Sequence, residues 1–172
     1  SALTRSRGME YGEIVSMPET ERAIRTALQS AQKLANSRVD HVIACISGGS
    51  PRSYGLEGTV DIKTGIVDDN DIADVLGSCG IPAYGSDREV LHAQPVNFSL
   101  DHRTGLSDPR GQIGKKLSVD MHMLTVKEKT IHDLAYCLKR CDLELAGVAS
   151  ASYASALSSL VEDEKELGAA CI

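Results

Sequence analysis

The sequence has few of the features that nucleic-acid-binding proteins use. Its 172 residues include no tryptophan, one phenylalanine and five tyrosines, and 24 Asp/Glu outnumber 18 Lys/Arg, for a net charge of −6. Binding to nucleic acid relies on cationic surfaces that attract phosphates and on aromatic rings that stack on bases. The composition therefore argues against a nucleic acid as a partner.

Long apolar segments are also missing. No stretch approaches the roughly 20 apolar residues that a transmembrane helix requires, so we expect any membrane attachment to come from segments outside this sequence. The sequence starts Ser1-Ala-Leu-Thr-Arg-Ser-Arg7, without an initiator methionine or an apolar signal stretch, and its last apolar run stops at Ile172 without a turn. Both ends predict a piece of a larger protein.

The cysteines indicate a reducing compartment. There are five of them, an odd number, and four lie inside apolar segments, as the buried thiols of a cytosolic protein do. We therefore predict a cytoplasmic protein in which all five cysteines are reduced: Cys45, Cys79, Cys137, Cys141 and Cys171.

The two ends of the chain have the pattern of an α/β fold. Ser16–Glu19 has the sequence of a capping box and is followed by a helical apolar stripe that should end near Asn36. Val42–Ile46 is continuously apolar, which is typical of a buried central strand. The C-terminal part predicts a strand, a helix of small residues, an acidic turn and another strand, at Glu144–Ser150, Ala151–Leu160, Glu162–Glu166 and Gly168–Ile172.

The middle of the chain alternates between apolar and polar residues, which predicts a sheet with one wet face. Pro95 precedes one of these strands and favours an edge strand or a bulge there. A second capping box, Thr125–Glu128, begins a helix that should end at Cys141. We predict a strand-helix-strand-strand-helix module over residues 54–142, inserted between α/β flanks at 1–53 and 143–172. Asp68 should cap its first helix, and its strands should lie around Leu56–Ile62, Val96–Leu100 and Leu117–Met123.

No motif in the sequence supports a phosphate, metal or catalytic site. Gly48-Gly49-Ser50 follows a strand, but Pro51-Arg52 stands where the helix of a phosphate loop would begin, which favours a turn. His132, Cys137 and Cys141 lack a CxxC motif and fit core packing better than zinc. A Gly-x-Ser-x-Gly nucleophile motif is absent as well. We therefore predict no catalytic, cofactor-binding or metal-binding residues.

One short helix is strongly acidic. The alternate-ligand pattern of a calcium loop fails at Ala73, so the carboxylates fit better as groups that favour a helix N-terminus. The 54–142 segment has 14 Asp/Glu and 10 Lys/Arg, a net charge of −4. We predict that this helix attracts basic partner segments, although a solvated helix face is the plainer interpretation. The candidate partner-binding residues are Asp68, Asp69, Asp71 and Asp74.

Several motifs in a fixed order resemble the FtsA family of bacterial cell-division proteins. They are Ser6-Arg7-Gly8-Met9, the strand that ends in Ser47-Gly48, the loop Asp108-Pro109-x-Gly111-x-x-Gly114-x-x-Leu117, and the segment from Ala149 that ends in Glu162-Asp-Glu-Lys-Glu-Leu-Gly168. The resemblance spans nearly the whole chain, and the order of the motifs makes it specific.

The resemblance implies an actin-like fold. FtsA belongs to the actin-like ATPases, so the flanks would be parts of subdomain 1A and the inserted module would be the SHS2 domain, or subdomain 1C. The two phosphate loops of that family would lie outside residues 1–172, so we expect ATP and Mg²⁺ to bind the longer protein and no cofactor or enzymatic activity in this part. Ser150 stands near the position where many actin relatives carry Glu or Gln, which favours weak or absent hydrolysis.

The resemblance also implies partners. FtsA holds the tubulin-like protein FtsZ to the cytoplasmic face of the inner membrane at the division site through a C-terminal amphipathic helix, which is not in this sequence. Subdomain 1C contacts other FtsA molecules and recruits later division proteins through their cytosolic tails. The alternatives are an SHS2-containing, actin-like protein of pilus assembly, which should lack the Arg-Gly-Met and Asp-Pro-x-Gly motifs, and an unrelated small α/β enzyme.

Overall fold

A computed structural model describes residues 1–170 of the chain, which form two compact units. The first unit contains Ser1–Ser50 and the segment that begins at Val126, and the second contains Pro51–Thr125. The middle segment is thus an insertion into the chain of the first unit, as an α/β protein with an inserted module requires.

The first unit combines a parallel strand pair with helices. Strands β3 and β8 pair in parallel, from His41 opposite Glu144 to Ile46 opposite Ser150. The elements of this unit are β1 (Met9–Glu10), β2 (Glu13–Ile14), α1 (Met17–Ala35), β3 (His41–Ile46), α3 (Glu128–Arg140), β8 (Glu144–Ser150), α4 (Ala151–Ser159) and α5 (Glu162–Leu167).

Helices α1 and α3 pack together and share an ionic contact. Leu138, Cys141 and Leu143 form the buried cluster of this unit. The Glu21 carboxylate on α1 accepts hydrogen bonds from Arg140 Nε on α3 at 2.9 Å and from Arg25 Nε at 3.3 Å. The bond from Arg140 is the main cause of the lowered pKa of Glu21.

Helix α1 begins and ends where the sequence predicts, but Ser16 does not form the expected side-chain cap. Ser16 occupies the N-cap position without a side-chain cap hydrogen bond. The buried hydroxyl of Thr20 lies 3.0 Å from the backbone oxygens of both Gly8 and Ser16 and shares its single hydrogen between them. Asn36 ends the helix in the left-handed conformation, at φ 48°.

The second unit is a four-stranded sheet in the order β4-β7-β5-β6 with helix α2 against β4. Its core joins the helix to the strands through Val75, Leu100, Leu117 and Val119. Strands β4 and β7 are antiparallel over ten consecutive pairs, from Arg52 opposite Thr125 to Asp61 opposite Lys116. The elements are β4 (Arg52–Asp61), α2 (Asp69–Ser78), β5 (Arg88–Leu100), β6 (Arg103–Leu106) and β7 (Lys116–Lys127).

The boundary of the second unit differs from the predicted 54–142. The unit ends at Thr125, because α3 packs on α1 and β8 of the first unit. Thr125 is also not a helix cap: it lies in β7, fully buried, and its hydroxyl accepts a hydrogen bond from Arg88 Nε at 2.9 Å. Helix α3 begins after Lys127, which is two residues beyond the N-cap position, Thr125, that the capping-box sequence indicates.

The prediction at Pro95 agrees with the structure, because β6 pairs with β5 only from Phe98 to Leu100, with a register shift between these residues, and the β6 side of β5 at Pro95 is a sheet edge. Two other strand predictions require correction. Strand β3 is not buried on both faces, since Ile43 is 74% exposed. The predicted last strand is absent from residues 168–170, which have no regular structure, and Cys171 and Ile172 lie outside the described residues. The acidic segment before it forms helix α5 rather than a turn.

The described cysteines are free thiols in different environments. Cys45 is exposed although it lies in an apolar strand, whereas Cys137 and Cys141 are buried on α3 or just after it. Burial raises the pKa of the Cys137 thiol to about 11 and also raises the pKa of Cys141.

Gly58 should be indispensable for the packing of α2 on β4. A Cβ atom at Gly58 would lie 2.5 Å from the Val75 backbone oxygen, whereas nothing lies within 4 Å of a Cβ at Gly55 on the same strand. We expect Gly58→Ala to lower the free energy of unfolding by about 1–3 kcal/mol. Gly55→Ala is the control and should be neutral or stabilise by up to about 1 kcal/mol. Urea unfolding measures both, and equal effects would contradict this packing.

Thiol reactivity should follow burial. Modification requires the thiolate, and a pKa of about 11 leaves about one Cys137 thiol in a thousand ionised at pH 8. In native buffer Cys45 should react first, and Cys137 and Cys141 should react only after unfolding. Mass spectrometry of the labelled chain at successive times gives the order. Modification of Cys137 as fast as Cys45 in folded protein would contradict the structure.

Candidate interaction surface

Helix α2 begins at a reciprocal cap built by two aspartates. The Asp68 carboxylate accepts hydrogen bonds from the backbone amides of Asn70 at 2.8 Å and Asp71 at 3.0 Å. The Asp71 carboxylate accepts in return from the Asp68 amide at 3.0 Å. The bond from the Asp71 amide is the main cause of the lowered pKa of Asp68. This cap fixes the residue at which the acidic helix starts.

The loop at residues 108–114 holds the start of helix α2 in place through backbone hydrogen bonds. The backbone amide of Gly111 donates to the Val67 oxygen at 2.9 Å, and the Val67 amide donates to the Gln112 oxygen at 3.0 Å. Pro109 is fully buried, and Gly111 has a φ of 74°, which favours glycine. A Cβ at Gly114 would lie 2.5 Å from Leu100 Cδ1. The Asp-Pro-x-Gly-x-x-Gly motif thus has a structural role in positioning α2.

The same loop places a cation beside the acidic helix. Arg110 Nε donates to Asp69 Oδ1 at 2.7 Å, and Arg110 Nη1 donates to both carboxylate oxygens of Asp108 at 3.1 Å. The bond to Asp69 is the main cause of the raised pKa of Arg110, and the bond from the Arg110 amide is the main cause of the lowered pKa of Asp108. The Asp69 side chain nevertheless remains 87% exposed.

The structure therefore assigns different tasks to the four predicted aspartates. Asp68 and Asp71 are used in the cap, Asp69 pairs with Arg110, and Asp74 is exposed in the middle of α2. Asp69 and Asp74 are both exposed, whereas the core residues Ile72 and Val75 of the same helix are buried. The contact of Arg110 with Asp69 and Asp108 was not identified from the sequence. The Asp-Pro-x-Gly motif that contains Arg110 was recognised, but it lies about forty residues from α2 in the sequence, so its proximity to the helix could not be predicted.

The acidic character extends over the second unit. Within Pro51–Thr125, 11 Asp/Glu and 7 Lys/Arg give a net charge of −4. Glu57 and Asp120 lie directly opposite each other in the β4–β7 pair, a like-charge arrangement that disfavours the sheet. A unit with this charge attracts cationic segments over about one Debye length, roughly 8 Å at physiological ionic strength.

The Gly48-Gly49 segment, which was considered from its sequence as a phosphate site, has a structural explanation. Gly48 lies against the backbone of Gly12, where a Cβ would be 2.6 Å from the Gly12 oxygen, and Gly49 has a φ of 86°. The two glycines thus form a tight turn. Among residues 1–170, no group of three or more His, Cys, Asp or Glu side chains is arranged to hold a metal ion. None of the described helices is long and apolar enough to cross a membrane.

A large cavity lies in the first unit. It has a volume of about 530 Å³ and lies among α1, β3 and α3. Its lining is mainly aliphatic, with residues such as Ile24, Leu28 and Leu134, and it includes the exposed Ile43. It contains no pair of carboxylates or histidines that could exchange a proton with a substrate.

The fold has a likeness among solved structures. A chain of a PilM–PilN type IV pilus biogenesis complex superimposes with a TM-score of 0.54, covering 90% of this chain and 40% of that chain. The sequence identity is 11%, so this likeness concerns the fold alone.

Sequence comparisons are more specific. Residues 48–125 match the family described as the SHS2 domain inserted in FtsA. The cell division protein FtsA of Rhizobium meliloti is 36% identical over 168 residues, which are 98% of this chain and 38% of that protein. FtsA of Pseudomonas aeruginosa is 33% identical over 95% of this chain and 39% of its own length, and FtsA of Escherichia coli K12 is 26% identical over the same shares.

The chain thus spans about two fifths of the length of these relatives. The similarity extends through both units, and the inserted unit coincides with the matched SHS2 domain. The chain therefore belongs to the FtsA family of bacterial cell-division proteins and contains its SHS2 domain.

Proposed function

We propose that this chain is a protein-interaction part of an FtsA-like division protein, and that the exposed face of α2 binds basic cytosolic tails of later division proteins. The observation that carries the proposal is the exposure of Asp69 and Asp74 on a helix whose start is fixed by its own cap. A basic tail would pair its Lys or Arg side chains with these two carboxylates.

Preorganisation supports this proposal. The cap at Asp68 and Asp71, together with the backbone bonds between Val67 and the 111–112 segment, holds the acidic face before a partner arrives. Less conformational freedom is then lost on binding than with a flexible acidic loop. Exposed ion pairs contribute little individually, so such a surface suits a reversible, salt-sensitive partner.

Arg110 supplies an internal competitor for the partner. Its guanidinium contacts both Asp69 and Asp108, so an arginine from a tail would have to displace it or share these carboxylates. This arrangement neutralises part of the acidic surface in the free protein. Removing Arg110 should therefore expose additional negative charge without altering the helix cap.

The edge strand β4 offers a second contact for an extended tail. Because β4 ends the sheet order and pairs with β7 without a register shift, its outer edge is regular. An extended peptide can add to such an edge through backbone hydrogen bonds. The edge expected from Pro95 is a second and shorter one, because β6 pairs with β5 only from Phe98 to Leu100.

The remaining functions are proposed for the longer protein. There the SHS2 domain would also contact further copies of FtsA, and other segments would link the FtsZ ring to the cytoplasmic face of the inner membrane. ATP and Mg²⁺ would bind through phosphate loops outside this sequence, and we propose no enzymatic activity for this part. The motifs Arg7-Gly8-Met9 and Asp108-Pro109-x-Gly111 favour this role over pilus assembly.

Reversing two charges on α2 should weaken tail binding. We expect Asp69→Lys with Asp74→Lys to reduce the affinity for a short, end-blocked Lys/Arg-rich peptide about tenfold, because each exposed ion pair contributes about 0.2–1 kcal/mol and two attractions become repulsions. The control, Asp87→Lys with Glu89→Lys, makes the same charge change on the exposed surface leading into β5. Fluorescence anisotropy at two salt concentrations measures both variants.

The comparison between these variants decides the location of the site. Lys at position 69 opposes the helix dipole and should lower the thermal midpoint somewhat, so both variants are compared at a temperature at which they are folded. A loss of affinity confined to the α2 variant under these conditions supports docking on α2. Equal losses in both variants would indicate attraction to the overall charge, and no loss in either would exclude the acidic helix as the docking surface.

Arg110→Gln should act in the opposite direction. It removes the internal cation from Asp69 and Asp108, so the affinity for the same basic peptide should rise several-fold at low salt and the increase should shrink as salt screens the charges. Arg52→Gln, an exposed substitution at the start of β4, is the control for the loss of one positive charge. If both variants bind equally well, Arg110 does not compete with the peptide.

A further inference from the structure

A second charged surface lies in the first unit and has the opposite sign. Three arginines, Arg5, Arg7 and Arg22, line one cavity of about 270 Å³, which we call the arginine pocket. The first two come from the segment before β1, and Arg22 comes from the second turn of α1. The other lining residues are Thr4, Glu19, Ala23 and Thr26.

These arginines differ from others on the surface in having no carboxylate partner within the described residues. Arg25, Arg38 and Arg110 each form an ion pair with an aspartate. None of the arginines of the pocket does so, although acidic residues outnumber basic ones by 24 to 18 in the chain. Arg22 Nε instead donates to the Pro18 backbone oxygen at 3.1 Å. Three unpaired guanidinium groups around one cavity leave positive charge that an anion can neutralise.

Charge and size define the class of anion. Three arginines and one glutamate give the lining a net charge of +2, which matches a phosphate monoester dianion. Guanidinium groups present parallel N–H donors that fit phosphate oxygens in pairs. The volume lies just below the roughly 300–1,000 Å³ of ordinary ligand pockets, so the pocket fits a phosphate with a small substituent rather than a whole nucleotide. We propose that the arginine pocket binds a phosphate monoester group.

The surroundings of the pocket also favour an anion. Glu19 and Arg22 lie in the first two turns of α1, near the positive end of the helix dipole. Because all three arginines are exposed, salt should screen the attraction strongly, and we expect binding that weakens as ionic strength rises. This inference concerns the first unit and does not depend on the function proposed for α2.

Titration calorimetry with glycerol phosphate and with pyrophosphate tests the pocket on the full 172-residue chain. We expect the triple variant Arg5→Gln, Arg7→Gln, Arg22→Gln to lose at least about tenfold in affinity, because charge-assisted pairs with phosphate are the strong hydrogen bonds of such a site. The control variant Arg38→Gln, Arg52→Gln, Arg103→Gln removes equal charge elsewhere on the surface and should bind as well as the unaltered chain.

Glu19→Gln gives a result that misfolding cannot imitate. It removes the only carboxylate of the lining, so phosphate should bind several-fold more tightly. Three results would each overturn the proposal. The unaltered chain could bind neither glycerol phosphate nor pyrophosphate, the two triple variants could lose affinity equally, or the Glu19 variant could bind phosphate more weakly.

Two further arms identify the source of the phosphate. Phosphatidylcholine vesicles that contain phosphatidic acid present the same monoester on a lipid, and pure phosphatidylcholine vesicles are the control. If the protein is retained only by the vesicles with phosphatidic acid, and pyrophosphate releases it, the ligand is assigned to a membrane lipid. Phosphate binding without retention would assign it to a soluble ester. ATP should bind more weakly than glycerol phosphate, because a whole nucleotide exceeds the volume of the pocket. Tight binding that requires adenosine and Mg²⁺ together would indicate a nucleotide site and overturn the assignment.

Discussion

Helix α2 lies directly on the backbone of strand β4, and the acidic surface depends on this contact. The Val75 oxygen occupies space that any side chain at Gly58 would need, so the helix approaches the sheet more closely than a larger residue would allow. Val75 and Ile72 are then buried, which directs Asp74 outward. The position of the charged residues thus follows from one small residue on the strand below them.

The acidic residues of α2 serve folding and recognition to different degrees. Asp68 and Asp71 satisfy backbone amides at the helix start, so their carboxylates are already committed to the fold. Asp69 shares Arg110 with Asp108, and Asp74 contributes to neither the cap nor that ion pair. The four aspartates look alike in the sequence, but Asp68 and Asp71 stabilise the helix, whereas Asp69 and Asp74 can form ion pairs with a partner protein.

Local signals in the sequence predicted local structure well. The cap at Asp68, the end of α1 at Asn36 and the alternation in β4 and β7 depend on neighbouring residues, and all three are found in the structure. Thr125 shows where such reasoning fails. It begins a capping-box sequence, but the burial of Arg88, 37 residues away, requires its hydroxyl inside the sheet.

Contacts between distant segments also explain the other differences. The apolar stripe of α3 predicts a buried face without showing which unit covers it, so the boundary fell at 142 rather than at Thr125. Strand β6 has only four residues and is not among the strands that the sequence predicts. Among the candidate site residues, the exposure of Asp74 could be predicted from helical periodicity, whereas the contact between Asp69 and Arg110 depends on how the 108–114 loop folds back.

The likeness to a pilus-assembly structure shows why the partner cannot be derived from the fold. At 11% identity almost every surface residue can differ while the architecture remains, and one architecture can then serve unrelated assemblies. Residues such as Gly58 and Pro109 maintain that architecture and carry no information about a partner. Partner choice must reside in exposed side chains that the fold does not require. Asp74 in the second unit and Arg5, Arg7 and Arg22 in the first meet that condition, since all are exposed and none forms an ion pair among the described residues.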